Sequence, residues 1–151
     1  MEIKVRPFHP HDYPRIAKMK CEAEGEQVTV EDLRRYDERW DHSRFEKVRV
    51  VAQDEEGVAI AYGELHHEPD AFDPRRYFLH LAVDTPYRRR GVATAIWDHL
   101  REELAERRAT VVRLRAQALG PGAQWAERAG FRWAGEDRTR GKVLYELRPE
   151  R

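Results

Sequence analysis

The stretch TPYRRRGVATAIWDHL, residues 85–100, holds the residue types best placed to do chemistry. Pro86 is followed by Arg88, Arg89 and Arg90, and then Gly91, Val92, Ala93 and Thr94 lead into a helical pattern. A helix N-terminus leaves its first backbone N–H groups unpaired and carries about half a positive charge. Glycine at its mouth lets a ligand approach the main chain, and Ala93 keeps the surface small one turn in. Main-chain donors flanked by arginines make an anion site that suits a diphosphate. A nucleic-acid duplex calls instead for basic residues spread along a face. The two commonest nucleotide loops, Walker A and G-x-G-x-x-G, are both missing from the sequence.

The elements that must position this loop belong to one domain, residues 1–151, since 151 residues favour a single core. With 40% hydrophobic and 37% charged residues, the chain reads as a polar but folded soluble protein. The formal net charge is zero, so no global field favours nucleic acid, and no nucleic-acid partner is expected. Arginine outnumbers lysine 23 to 5, which decides nothing about function. Cys21 is the single cysteine, so no intramolecular disulfide forms and no cysteine-based metal site is expected. No signal-peptide run opens the sequence and no segment approaches 18 apolar residues. A cytoplasmic location with no membrane partner is the expectation.

IKVRPF (3–8) reads as a strand. A helix follows, with Asp12 as N-cap, Pro14 in its first turn and Gly25 just past its end. Thr29 opens a second helix, TVEDLRRYDERW, with Asp32 at capping-box spacing and Val30, Leu33, Tyr36 and Trp40 as its apolar positions. Strands near 47–53 and 58–66 form a hairpin turning at Asp54–Gly57. RYFLHLAVD (76–84) is a third strand, ended by Pro86. The helix from Gly91 to about Arg107 carries Val92, Ile96, Leu100 and Leu104 on one face. TVVRLRAQA (110–118) alternates like a strand, PGAQWAERAGF holds a short helix, and GKVLYEL (141–147) is the last strand, so one or two strands close the chain. This is a mixed α/β domain in which the crossover helix makes strands 76–84 and 110–118 parallel.

Arg88-x-x-Gly91-x-Ala93 resembles the acyl-CoA signature Q/R-x-x-G-x-G/A of the GNAT superfamily of N-acetyltransferases, and FLHLAVDTPYRRRGVATAIWDHL resembles the family's fourth strand, pyrophosphate loop and third helix. VRPFHPHDYPRIAKM resembles its opening strand and first helix, AIAYGELHH its third strand, and AERAGF the end of its last helix. The texture is also similar to the N-terminal half of tandem GNAT proteins. The resemblance implies a mostly antiparallel sheet, a splayed parallel strand pair and about four flanking helices.

It further implies acetyl-CoA as cosubstrate. Backbone groups of Leu81, Ala82 and Val83 would pair with the pantetheine arm, and N–H groups from Arg88 through Thr94, with Arg89, Arg90, Gly91, Val92 and Ala93 between, would hold the pyrophosphate. The acetyl group would pass to a primary amine of a small molecule or a protein. The family's habits also admit a homodimer. A neutral amine is the nucleophile, and an alkylammonium with a pKa near ~10 is roughly 0.1% neutral at pH 7, so a proton acceptor helps. Glu64 is the first candidate base, with a solvated strand carboxylate as the alternative. His80 has a suitable reference pKa, but which strand face meets the cleft is not fixed by sequence.

Ala126 stands where many members of the family carry the tyrosine proposed as general acid, and Leu119 stands near the place of a common asparagine. Tyr77 and Tyr145 are candidate substitutes for that acid. The departure keeps a second reading open, a non-catalytic acyl-CoA-binding or regulatory module. Glu22, Glu24, Glu26, Glu31 and Asp32 form an acidic stretch suited to a cationic amine or to solvent alone. His66 and His67 are adjacent on a strand and face opposite ways, so no metal site is expected of them. Trp40, Trp97, Trp125 and Trp133 read as core or cleft walls.

Overall fold

Seven strands form one sheet in the order β1-β2-β3-β4-β5-β7-β6. The computed structural model describes residues 2–137 and 141–149, with the Glu24 side chain also outside the description. The elements are β1 (Lys4–Pro7), α1 (Tyr13–Glu24), α2 (Val30–Arg39), β2 (Lys47–Gln53), β3 (Ala59–His66), β4 (Arg76–Val83), α3 (Val92–Glu106), β5 (Val111–Ala116), α4 (Pro121–Arg128), β6 (Arg132–Asp137) and β7 (Lys142–Leu147). Every neighbouring pair is antiparallel except β4 and β5, which run parallel on either side of the crossover helix α3. The expected mixed architecture, parallel pair and four helices are all present, and two strands follow α4.

Local chemistry sets the boundaries. Thr29 Oγ1 accepts from the Asp32 amide at 3.1 Å while Asp32 Oδ2 accepts from the Thr29 amide at 3.0 Å, so the capping box forms with aspartate in place of glutamate. Asp12 sits at the N-cap position of α1 without capping it. Its carboxylate instead takes two hydrogen bonds from Arg6, each 2.9 Å, and one from the His9 amide at 2.8 Å, because a charged bidentate partner outcompetes a neutral amide. The strand expected over 110–118 stops at Ala116, where the Gly120 amide closes a turn on Gln117 O at 3.0 Å.

Each sheet face has its own core. On one, Val92, Ile96, Trp97, Leu100 and Leu104 of α3 pack over Ala61, Leu65, Tyr77 and Leu79. On the other, Tyr13, Ile16 and Met19 of α1 and Leu33 of α2 cover Val51, Tyr62 and Ala82. Trp97, Trp125 and Phe131 meet ring to ring and fix α4 against α3. Trp133, by contrast, is 61% exposed on β6, at the sheet edge, and walls no core. Among the described residues no helix is long and apolar enough to cross a membrane.

Gly63 lets α3 lie close on β3. A Cβ there would stand 2.4 Å from Ile96 Cγ2 and 2.9 Å from Leu100 Cδ1, both fully buried. Gly63→Ala is therefore expected to cost about 1–3 kcal/mol through overpacking, read as a lowered denaturant midpoint. An unchanged midpoint would mean that α3 retreats freely.

Candidate active site

β4 and β5 part company early. Their pairing runs from Arg76↔Val111 only to Phe78↔Arg113, whereas β4 stays on β3 to Val83 and β5 stays on β7 to Ala116. The result is a wedge-shaped gap lined by one edge of β4. The Asp84 amide donates to Ile60 O at 2.8 Å, which fixes the hydrogen-bonding phase of that edge. Alternation then directs the N–H and C=O of Ala82 to Tyr62 on β3, and those of Leu81 and Val83, beyond the last β4–β5 pair, into the gap. Leu81 and Val83 turn their backbone groups toward the gap, while Ala82 turns its own to β3 and packs its side chain on the α1 face.

At the wide end of the gap, Thr85–Tyr87 forms one 3-10 turn and the chain enters α3 through Gly91. Asp84 anchors the turn. Its carboxylate accepts from the Thr85 amide at 3.1 Å and from Arg15 Nη2 at 2.5 Å. Burial works to raise its pKa, but Arg15 and Lys18 outweigh that and hold it below the usual carboxylate range. The Arg88 amide is spent on Thr85 O at 3.3 Å, and the first α3 bond runs from Ala95 N to Gly91 O, so the amides of Val92, Ala93 and Thr94 open outward. Gly91 has φ +78°, and a Cβ there would meet nothing within 4 Å. The backbone conformation here is one that favours glycine, and no protein atom crowds the position. Arg89 also holds a left-handed φ of 62°, a strain of about 1 kcal/mol or more. Among the described residues no ion pair to a carboxylate involves Arg88, Arg89 or Arg90, and the Arg90 guanidinium lies over the Tyr87 ring, 5.9 Å from its centroid.

Across the sheet from α3, His80 shares its strand face with Ala82, against α1. Strand pairing sets His80 opposite Glu64, with His66 two residues on along β3. One carboxylate oxygen of Glu64 and ring nitrogens of His66 and His80 lie within 4.8 Å of one another. His66 Nε2 meets His80 Nε2 at 2.9 Å, and His66 Nδ1 lies 2.7 Å from His67 O. Glu64, the expected base, is buried and accepts from Arg49 Nε at 2.6 Å through Oε1. The same guanidinium grips Asp37 of α2 by Nη1 at 2.8 Å and Nη2 at 3.0 Å, and Lys47 Nζ and Tyr13 Oη add bonds of 2.7 and 2.5 Å to Asp37. Glu64 is thus held by a guanidinium, and the two imidazoles are bonded to each other.

Burial lowers the pKa of His66, and it lowers that of His80 further, with Lys20, Arg115 and Lys142 adding to it. Burial alone would raise Asp37, but Arg49, Lys47 and Tyr13 pull it well below the carboxylate range, and Asp12 is lowered by Arg6 against the same opposition. All four groups have depressed folded values, so the unfolded chain binds more protons and each stabilisation is lost on acidification. Stability should hold near neutrality, begin to fall below pH about 6.5 as the histidines protonate in the unfolded chain, and fall again below about 4 with the carboxylates. Urea midpoints measured from pH 8 to 3 test this; a flat profile down to pH 4 would contradict the histidine part.

The sequence profile described as the Acetyltransferase (GNAT) family matches residues 13–131. The chain belongs to the GNAT family. No curated protein matches it by sequence. Among solved structures it is similar to Ard1 from Thermoplasma volcanium (TM-score 0.80, 16% identity, all of both chains). It is also similar to a ribosomal-protein-alanine N-acetyltransferase from Brucella melitensis (TM-score 0.76, 19% identity, 97% of this chain and 99% of that one). A third is the PaiA N-acetyltransferase from Thermoplasma acidophilum in complex with coenzyme A (TM-score 0.77, 14% identity, 99% and 100%). At these identities the likeness is one of fold.

Ala126 is fully buried on the inner face of α4, and neither candidate substitute tyrosine is free: Tyr77 Oη donates to Glu46, and Tyr145 Oη donates to Glu127 at 2.9 Å. Leu119 is 91% exposed with φ 61°. The acidic stretch is largely used internally, Asp32 in its capping box, Glu22 by Lys18 at 3.9 Å and Glu26 by Lys142 at 3.9 Å, while the Glu24 side chain lies outside the described set. Sequence reasoning missed Arg49 and Asp37, and it weighed His66 only as a metal ligand; only strand register and the α2 packing bring them together.

Proposed function

We propose that this protein is an N-acetyltransferase that moves the acetyl group of acetyl-CoA to a primary amine of a small molecule or protein. The observation that carries the reading is the unpaired edge of β4 running into the arginine-flanked, open amides at the start of α3. An amide-bearing arm fits the edge, and a diphosphate fits the amides and the unpaired arginines. Leu81 and Val83 offer the backbone partners for the arm, with Ala82 holding the strand between them. Arg89 through Thr94 offer the loop amides, and Arg88 its side chain. A free strand N–H of Leu81 or Val83 is positioned to polarise the thioester carbonyl. The amine enters on the α1–α2 side, and positioning supplies most of the rate.

Glu64 supplies the carboxylate that draws off the amine's proton, through water or through another group, because Oε1 is already held by Arg49. Glu64→Gln is expected to lower kcat by about 100-fold near neutral pH, with a smaller loss at high pH where the amine is already neutral. An unchanged pH–rate profile removes Glu64 from the mechanism.

Ala126 in the tyrosine position favours the alternative, an acyl-CoA-binding module without turnover. Calorimetric titration with acetyl-CoA tests the cleft, and an amine screen on the same sample separates the two readings. Micromolar binding with acetylation of any amine establishes the enzyme. Binding with no turnover across the screen favours the module, and no binding ends both.

A further inference from the structure

The geometry points to His80 Nδ1 as the atom that takes the second proton, the one released as the amine attacks, with His66 as the positioning residue that keeps this nitrogen bare. The inference rests on the acetyl-transfer reading above, in which Glu64 draws the first proton off the ammonium, and names the acceptor of the second.

The argument is one of donors and acceptors. A backbone carbonyl only accepts, so the 2.7 Å contact between His66 Nδ1 and His67 O requires a proton on Nδ1. A neutral His66 then has a lone pair at Nε2, and the 2.9 Å contact to His80 Nε2 requires His80 to donate there. A neutral His80 with its proton on Nε2 has a lone pair at Nδ1. Among the described residues that nitrogen has no protein partner, yet the only buried side-chain polar atom without a partner there is Arg107 Nε. His80 Nδ1 is therefore not fully buried, although most of the ring is enclosed, and it lies on the face away from α3. Three links, His67 O, His66 and His80, convert a backbone carbonyl into a fixed tautomer at the cleft.

The charged surroundings act in both directions. Lys20 from α1, Arg115 from β5 and Lys142 from β7 face His80 and disfavour an imidazolium, as does burial, so the ring stays neutral well below pH 6.5. Glu64 of β3 and Glu68 just beyond it favour charge on His66, while Lys47 of β2 opposes it. A neutral imidazole takes no proton from a resting ammonium of higher pKa. It does take one as the attacking nitrogen forms its bond to the acetyl carbon and becomes strongly acidic. The carbon–sulfur bond breaks with its electron pair leaving on sulfur. The proton on His80 then passes to that thiolate or to water, and the bare Nδ1 is restored. The same imidazole thus covers the acid role vacated at Ala126. While the proton is held, its charge lies within 4.8 Å of the Glu64 carboxylate.

Imidazole 15N spectra of the intact protein at neutral pH read the tautomers directly. The expected result is His80 protonated at Nε2 and bare at Nδ1, and His66 the reverse; a proton on His80 Nδ1 overturns the inference. Kinetics supply the second arm, on any amine the wild type acetylates. His80→Gln and His66→Leu should each lower kcat about 100-fold with acetyl-CoA affinity unchanged, and His80→Gln should lose the imidazole's inflection from the acid limb of the pH–rate profile while the amine's own ionisation remains. His66→Gln, which keeps an acceptor for His80 Nε2–H, should recover much of the His66→Leu loss. Undiminished kcat in His80→Gln overturns the base, and equal losses in the two His66 variants overturn the positioning role. If the wild type acetylates nothing, the acetyl-transfer reading fails while the spectra still decide the tautomer.

Discussion

Gly91→Glu is expected to abolish measurable acetyl-CoA binding while leaving the fold largely intact. The residue is exposed, its φ is +78°, and nothing lies within 4 Å of where a Cβ would be, so the substitution meets no clash. Its local cost is the left-handed backbone, about 1–2 kcal/mol for a residue with a Cβ. The cost to the ligand is larger. A carboxylate at the mouth of α3 occupies the open amides of Val92, Ala93 and Thr94 and sets a negative charge against a diphosphate. Gly91→Ala separates the two contributions, because it carries the backbone strain without the charge. The expected ranking in calorimetric titration is wild type, then Gly91→Ala, then Gly91→Glu with no detectable heat. Thermal melts of both variants should lie a few degrees below wild type. Normal binding by Gly91→Glu would place the diphosphate elsewhere and remove the loop from the cofactor site.

The loop was legible in sequence because its chemistry is local. Gly91, the arginines before it and the helix after it are consecutive, and a helix start exposes amides whatever the rest of the chain does. The same holds for Thr29 with Asp32 and for the break at Pro86. Asp12 holds the expected N-cap position, but its carboxylate serves Arg6, which lies on another element. The acceptor face resisted reading for the same reason. His66 and His80 are 14 residues apart and touch only because the β3–β4 register sets Glu64 opposite His80. A one-residue slip in that register would send one of them to the α3 side. Arg49 and Asp37 meet only when α2 packs on the sheet. Gly63 lies within the expected strand 58–66, and only the packing of α3 on it shows why a side chain does not fit there.

Arg49→Leu is the substitution expected to cost the fold most. The guanidinium is 7% exposed and satisfies two carboxylates at once, Glu64 at 2.6 Å and Asp37 at 2.8 Å. Removing it leaves Glu64 buried without its cation, whereas Asp37 keeps Lys47 and Tyr13. Breaking a buried pair from one side costs about 3–5 kcal/mol, because the remaining charge has lost both water and partner. A surface pair would cost about 1 kcal/mol or less, so the magnitude itself reports whether the network is dry. The companion variant carries Arg49→Leu with Glu64→Leu. It removes the stranded charge, and a large part of the lost stability should return, since apolar replacement of a whole buried pair is often close to neutral. Urea denaturation of the two variants and wild type gives the answer. If the double variant is no better than the single one, then Arg49 acts mainly by tying α2 to the sheet through Asp37, and Glu64 is free of any structural debt to it. If stability returns, this fold retains an ion pair it does not need for stability. The carboxylate beside His66 and His80 is then held there for the chemistry, and Arg49 is what makes its burial tolerable.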